Sequence, residues 1–209
     1  MQQLKVNLLK DSNESINNVS IALDKLEKHA LNFTPWTSYP YKPDVRFAIA
    51  HNNNFIFLKY YVTEESIRAA AGNINGNVWE DACVEFFVSF DDKGYYNIEF
   101  NCIGTGLIGF GKEKPTRQRL AEETIRQIKY QAVISNQDDD NVHWELTLVI
   151  PVVVFTHHQL HSLSGTQCNA NFYKCGDALP QPHFVAWSNI EAPQPDFHLP
   201  EFFGMLEFE

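Results

Sequence analysis

From Val45 onward the chain is written in short runs of period two, and that periodicity limits it to folds built from half-buried strands. "DVRFAIA" alternates Val45, Phe47 and Ile49 against Arg46 and Ala48, "HNNN" supplies turn residues, and "FIFLKYYV" resumes the run, which is a hairpin signal. Similar runs predict strands over 84–90, 95–102, 107–110, 128–135, 142–150, 168–174, 183–187 and 205–208. "DDKG", "NQDDDN" and "EAPQPDFHLP" punctuate them. So many short strands with turn-rich gaps predict an all-β, mainly antiparallel sandwich or barrel.

The first 32 residues read differently. "LKVNLLK" is a short strand, and in "DSNESINNVSIALDKLEKHA" Ile16, Val19, Leu23, Leu26 and Ala30 recur at helical spacing. Asp11 and Glu14 stand in capping-box relation and His29 lies near the C-terminal end. This one amphipathic helix is expected to be peripheral, covering an edge or end of the sandwich. No repeat or low-complexity linker interrupts the chain, so 1–209 is expected to be a single domain with its core sandwich over 43–208.

Register in one hairpin bears on the cysteines. A symmetric pairing of "FFVSF" with "YYNIEF" places Cys83 opposite Cys102 but sets Val84, Phe86 and Val88 against Asn101, Glu99 and Asn97. A slip of one residue pairs Phe86 with Phe100, Val88 with Ile98 and Phe90 with Tyr96, and sends the two cysteines to opposite faces. Cys168 and Cys175 lie in one extended segment, roughly 23 Å apart at about 3.3 Å per residue. Four free thiols are expected, which suits a reducing compartment. The same slip gathers Glu85, Phe87, Ser89, Asn97, Glu99 and Asn101 on the second face, either a hydrogen-bonding floor or a solvated outer surface.

A formal charge of −10, with no block of Lys or Arg, argues against nucleic acid or an anionic membrane as partner and favours a neutral or cationic ligand. No apolar run is long enough to span a bilayer, and "MQQLKVNLLK" lacks the apolar region of a secretion signal. The chain as written is expected to be cytoplasmic, or periplasmic or extracellular if Met1 replaces a removed leader.

Sugars are bound by aromatic rings laid against their C–H faces, with carboxylates, amides and guanidinium groups around the hydroxyls. Of four tryptophans, Trp144 alternates with Val142 and Leu146 and reads as core, whereas Trp79 and Trp187 sit at strand ends beside polar neighbours. Trp36 follows Pro35 in a loop. "VWEDACVEFFVSFDDKGYYNIEFNCIGTG" and, later, "HFVAWSNIEAPQPDFHLPEFFGMLEF" resemble the two ordered motifs of the family 9 carbohydrate-binding modules, a likeness that spans roughly 43–208. The resemblance implies a jelly-roll β-sandwich that binds glycans without catalysis. It implies Trp79 and Trp187 as the stacking rings, Glu80 and Glu85 as hydroxyl-binding carboxylates, and a xylan- or glucan-type oligosaccharide or polysaccharide as partner. Ala82 stands where the family carries an aspartate, and Glu99 where an arginine is expected. Glu99, Asn101 and Arg117 complete the expected ligand set, Arg117 and Arg119 coming from a loop that otherwise reads as solvated.

Other chemistries are open to the same residues. Glu85 and Glu99 share a face, as the paired carboxyls of a glycoside hydrolase would. "FTHHQLH" brings His157 and His161 to helical i, i+4 spacing without the glutamate of a zinc protease motif, so a surface turn is the simpler reading. A haem domain would want an axial Met, and Met205 in the last strand is the only internal one. No cofactor is required; Asp138, Asp139 and Asp140 are a candidate calcium turn. A protein-interaction sandwich would use Tyr39, Tyr41, Phe197, Phe202 and Phe203 as exposed aromatics, which could equally wall a sugar groove.

Overall fold

A computed structural model describes residues 2–9, 15–136 and 141–209. In chain order the elements are β1 (Gln3–Leu8), α1 (Ile16–Asp24), β2 (His29–Ala30), β3 (Asp44–His51), β4 (Phe55–Glu64), β5 (Cys83–Asp91), β6 (Gly94–Asn101), β7 (Gly106–Gly111), β8 (Gln118–Arg119), α2 (Glu122–Ile125), β9 (Lys129–Asn136), β10 (Val142–Pro151), β11 (Gln167–Cys175), β12 (Phe184–Ala186) and β13 (Gly204–Phe208). Strand order is β8-β7-β6-β5-β11-β13-β1-β3-β4-β10-β9, with β12 on β11 and β2 on β3. The fold is the expected mainly antiparallel β-sandwich, one layer running from β8 to β13 and the other from β3 to β9.

β1 joins the two layers, pairing in parallel with β13 on one side and β3 on the other, and its Val6 is wholly buried. The N-terminal strand is therefore structural rather than peripheral. The helix is shorter than its periodicity suggests, because residues 29–30 pair with β3 as a strand. It does not cover an edge: Val19 and Leu23 pack on Ala48, Ala50, Phe57 and Val149, the outer face of the second layer. The Asp11–Glu14 capping relation and the Asp138–Asp140 run lie outside the described residues. No helix among the described residues is long and apolar enough to cross a membrane.

Between the layers lies the main core. Alternation sends Val84, Phe86 and Val88 of β5, Ile98 and Phe100 of β6 and Phe172 of β11 inward, against Phe47, Leu58, Tyr60, Trp144 and Leu146. Phe172 stacks between Phe47 and Phe86, with ring centroids 3.8 and 5.0 Å away. Trp144 is core, as expected.

The β5–β6 hairpin keeps the expected faces but not the expected pairs. Phe86 lies opposite Ile98 and Val88 opposite Tyr96, two residues from the predicted register, so Glu85 faces Glu99 directly. Asp91 pairs with Gly94 across a two-residue turn, and a bulge between Val88 and Asp91 absorbs the extra residue. Ser89 Oγ donates to the carbonyls of Asp91 and Gly94 at 2.7 and 2.9 Å. Gly94 has φ of +148°, and a Cβ there would come within 2.9 Å of the Gly111 backbone. A shift of two residues leaves side-chain parity intact, which is why the faces survived the wrong pairing. All four cysteines are free, and Cys83 and Cys102 lie on opposite sides of the layer.

A pocket on the outer face of the first layer

Alternation that turns Phe86 and Phe172 inward turns Cys83, Glu85 and Phe87 of β5, Tyr95, Asn97 and Glu99 of β6, and Tyr173 and Cys175 of β11 outward. This second face is not solvated. Trp36, Phe197 and Phe203 close over much of it, and Phe87, Tyr95 and Tyr173 are fully buried beneath them. The proline-rich segment is pinned by Trp36 Nε1, which donates to Ala192 O at 2.9 Å, and by Phe197 stacked on Tyr173 at 4.1 Å. What the loops leave open is a pocket of about 330 Å³, with Glu85, Asn97, Glu99 and Cys175 from the sheet and Trp79, Arg117, Arg119, Asp177, Phe197 and His198 among its walls.

Trp79 sits in a single 3-10 turn, Val78–Glu80, tied to the loop after β11 by Asp177 N and Ala178 N, which donate to the carbonyls of Trp79 and Glu80 at 3.1 Å. The ring is half-buried, and the Arg119 guanidinium lies 5.8 Å from its centroid.

Arg117 is not a solvated loop cation. Its guanidinium lies 4.1 Å over the Tyr95 ring, donates to the carbonyls of Tyr95, Gly109 and Gly111 at 2.9–3.1 Å, and donates through Nε to Asn97 Oδ1 at 3.0 Å. Asn97 in turn donates to Glu99 Oε1 at 2.6 Å. A Cβ on Gly109 would fall 2.7 Å from Asn97 Oδ1, so only glycine leaves room for this chain of contacts. Burial and the nearby Arg117 hold His198 down to about 3, so its ring is neutral; its Nδ1 lies 3.0 Å from Tyr95 Oη.

The two sheet carboxyls are directly opposed and nearly inaccessible, each 4% exposed, with no ion-pair partner among the described residues. Burial pushes Glu85 well above the usual carboxylate range, and the neighbouring Cys175 and Glu99 add to it; Cys175 Sγ donates to its Oε1 at 3.0 Å. Burial also raises Glu99, against the pull of the Asn97 hydrogen bond and the two arginines.

Of the expected ligand set, Trp79, Glu85, Glu99 and Arg117 meet at this pocket and three residues do not. Trp187 is 6% exposed and edge-on to Phe172 and Phe47, with centroids 5.5 and 6.2 Å away, so no ring face is free for stacking; Gly204 is what lets it fit. Glu80 turns away to Arg68 and Asn77. Asn101 is buried, donating to Asp81 Oδ2 and Ala71 O at 2.9 and 3.0 Å, and so shapes the loop before β5. Phe184, His198, Asp177 and Cys175 were missed as pocket residues, whereas Phe197, named among the aromatics that could wall a sugar groove, does line the pocket. Tyr39, Tyr41, Phe197, Phe202 and Phe203 are all buried or half-buried, not an exposed interaction patch. His157 stacks on Phe110 at 4.2 Å and His158 bonds Tyr96 Oη and Asp91 at 3.0 and 3.1 Å, so the histidine segment braces the hairpin turn rather than forming a helical metal site.

A protein-family model, carbohydrate-binding family 9, matches residues 16–208. A crystal structure of a Bacteroides uniformis protein assigned to carbohydrate binding is 43% identical over 100% of this chain and 99% of that one, with a TM-score of 0.92. Two structures of a family 9 carbohydrate-binding module from Caldicellulosiruptor kristjanssonii, one with glucose and one with cellotriose, share the fold at TM-scores of 0.63 and 0.64. They are 10% and 11% identical, over 100% of this chain and 96% and 94% of theirs. None of the curated proteins matches. With a family match over nearly its whole length, this chain belongs to carbohydrate-binding family 9.

Proposed function

We propose that the pocket binds a terminal or short glycan unit without altering it, one sugar face lying on Trp79 and the opposite side meeting the Phe197–His198 segment. The observation that carries this reading is the gathering of the half-buried Trp79 indole with the Arg117 and Arg119 guanidiniums, the Asn97 amide and the sheet carboxyls Glu85 and Glu99 in one pocket of about 330 Å³. That volume lies at the low end of the roughly 300–1,000 Å³ of small-ligand sites, which suits one or a few sugar units better than a long chain lying flat. Burial raises both carboxyls, and a carboxyl that holds its proton donates as well as accepts, so Glu85 and Glu99 are suited to read hydroxyls. A glucan-type ligand is the first to test, given the glucose and cellotriose held by the family modules of the same fold.

Glu85 and Glu99 are adjacent, as a hydrolase requires, but burial raises both instead of raising one and lowering the other. Tryptophan fluorescence during titration with glucose, xylose, cello- and xylo-oligomers and galactose, with product analysis of the same samples, tests both readings. A saturable change with intact sugar at micromolar to millimolar concentration is expected. Product formation would replace binding by hydrolysis, and no change with any sugar would overturn the reading.

A further inference from the structure

Behind the pocket lies a cluster of which the glycan reading uses only Glu85. Cys83 of β5 and Cys175 of β11 are directly opposed across their strand pair, and Glu85, two residues along β5, shares their face. The two sulfurs and a Glu85 carboxyl oxygen all lie within 4.8 Å of one another, and Cys175 and Glu85 open onto the pocket. It is the only such group of three among the described residues.

We propose that Cys83, Cys175 and Glu85 form a binding site for one thiophilic divalent cation of the zinc class. Two thiolates and a carboxylate are the donor set such an ion takes, and three protein ligands leave a fourth tetrahedral position, here facing the pocket, for water. The ligands stand on adjacent strands of a packed sheet, so their spacing is set by the fold rather than by a loop. Burial raises the Cys83 thiol to about 12 and raises Glu85 above the usual carboxylate range, so taking up the ion displaces protons from its ligands.

The test is titration of the full chain, kept reduced with a phosphine and stripped with a chelator, with Co²⁺ and then Zn²⁺ as competitor. One Co²⁺ per chain with thiolate-to-cobalt charge-transfer absorption, bleached by Zn²⁺, is expected. Cys175→Ser should lose at least the ~10–100-fold in affinity that even an outer-shell partner commonly controls. Cys168→Ser, buried elsewhere in the core, should leave the band unchanged. Glu85→Gln keeps both thiols and should weaken binding, so it stands in if a cysteine variant fails to fold. No charge-transfer band in the wild-type chain, or equal loss in Cys168→Ser and Cys175→Ser, would overturn the site. No sugar enters the measurement, so its failure leaves the glycan reading untouched.

Discussion

Two carboxyl groups, Glu64 and Glu85, are buried to the same degree on opposite sides of one sheet and live in opposite chemistry. Glu64 points between the layers, where Lys174 Nζ lies 2.9 Å from one of its oxygens and Trp144 Nε1 donates to the other at 2.6 Å. Lys174 also donates to His183 Nε2 at 2.7 Å and to Cys175 O at 2.9 Å, and burial with the adjacent Lys174 holds His183 down to about 3. The neutral ring accepts from Lys174 and donates through Nδ1 to Gln181 O. This cluster is sealed and internally balanced. Glu85 has a thiol for a partner instead of a cation, and a pocket beside it. One strand serves both, since β11 turns Lys174 inward and Cys175 outward in successive positions. A buried acid that is charge-balanced by its neighbours serves structure, whereas one left without a cation beside open space is set up for a ligand.

The comparison breaks most directly at Lys174. Lys174→Met should cost about 3–5 kcal/mol, because it strands Glu64 as an uncompensated buried charge, and urea denaturation measures it. The same assay on Glu85→Gln should show a much smaller change; a comparable loss would erase the distinction. Trp187→Ala should destabilise by about 3–5 kcal/mol through the cavity it opens. Sugar affinity of the folded fraction should be unaltered, and a specific loss of binding would return Trp187 to the site. Trp79→Ala should weaken sugar binding at least tenfold, about 1.4 kcal/mol, with a nearly unchanged melting temperature. Wild-type affinity in that variant would remove the ring from the site.

An effect of similar, modest size concerns a third buried acid. Burial alone would raise Asp81, but the amides of Ala70 and Ala71, the Asn101 side chain and Arg68 outweigh it and bring it below its ordinary 3.8. A depressed carboxyl contributes stability above its unfolded pKa and loses it as pH falls through the folded value. Asp81→Asn should therefore cost about 1.5 kcal/mol near neutral pH. The gap in melting temperature from wild type should close below about pH 4. A gap that persists at low pH would mean the residue acts by shape rather than charge.

Much of this was legible in the chain itself. Alternation assigned Phe86 and Val88 to one face and Glu85, Asn97 and Glu99 to the other, and the motif around Trp79 pointed to the end of β5 beside which the pocket lies. The failures share a cause. Trp187 has polar sequence neighbours, Ser188 and Asn189, yet its ring is enclosed by Phe47 and Phe172, far away in the chain. Arg117 sits in a polar loop, but its partners are carbonyls of β6 and β7 that curl beneath it. The hairpin register missed by two because a bulge at Ser89 and Phe90 depends on the turn and on Gly94 packing against Gly111.

The sequence by itself therefore determined the period-two strands, the two faces of each, the absence of a Cys83–Cys102 bridge and the family. Those properties follow from side-chain alternation and local turn chemistry, which act between neighbours along the chain. Only the tertiary structure decided that the polar face is a pocket and not a solvated surface, that Phe197 and His198 replace Trp187 at its wall, and that Cys83 meets Cys175. Each depends on which distant segments share a space, and contacts between strands far apart in sequence are set by the packing of the whole sheet.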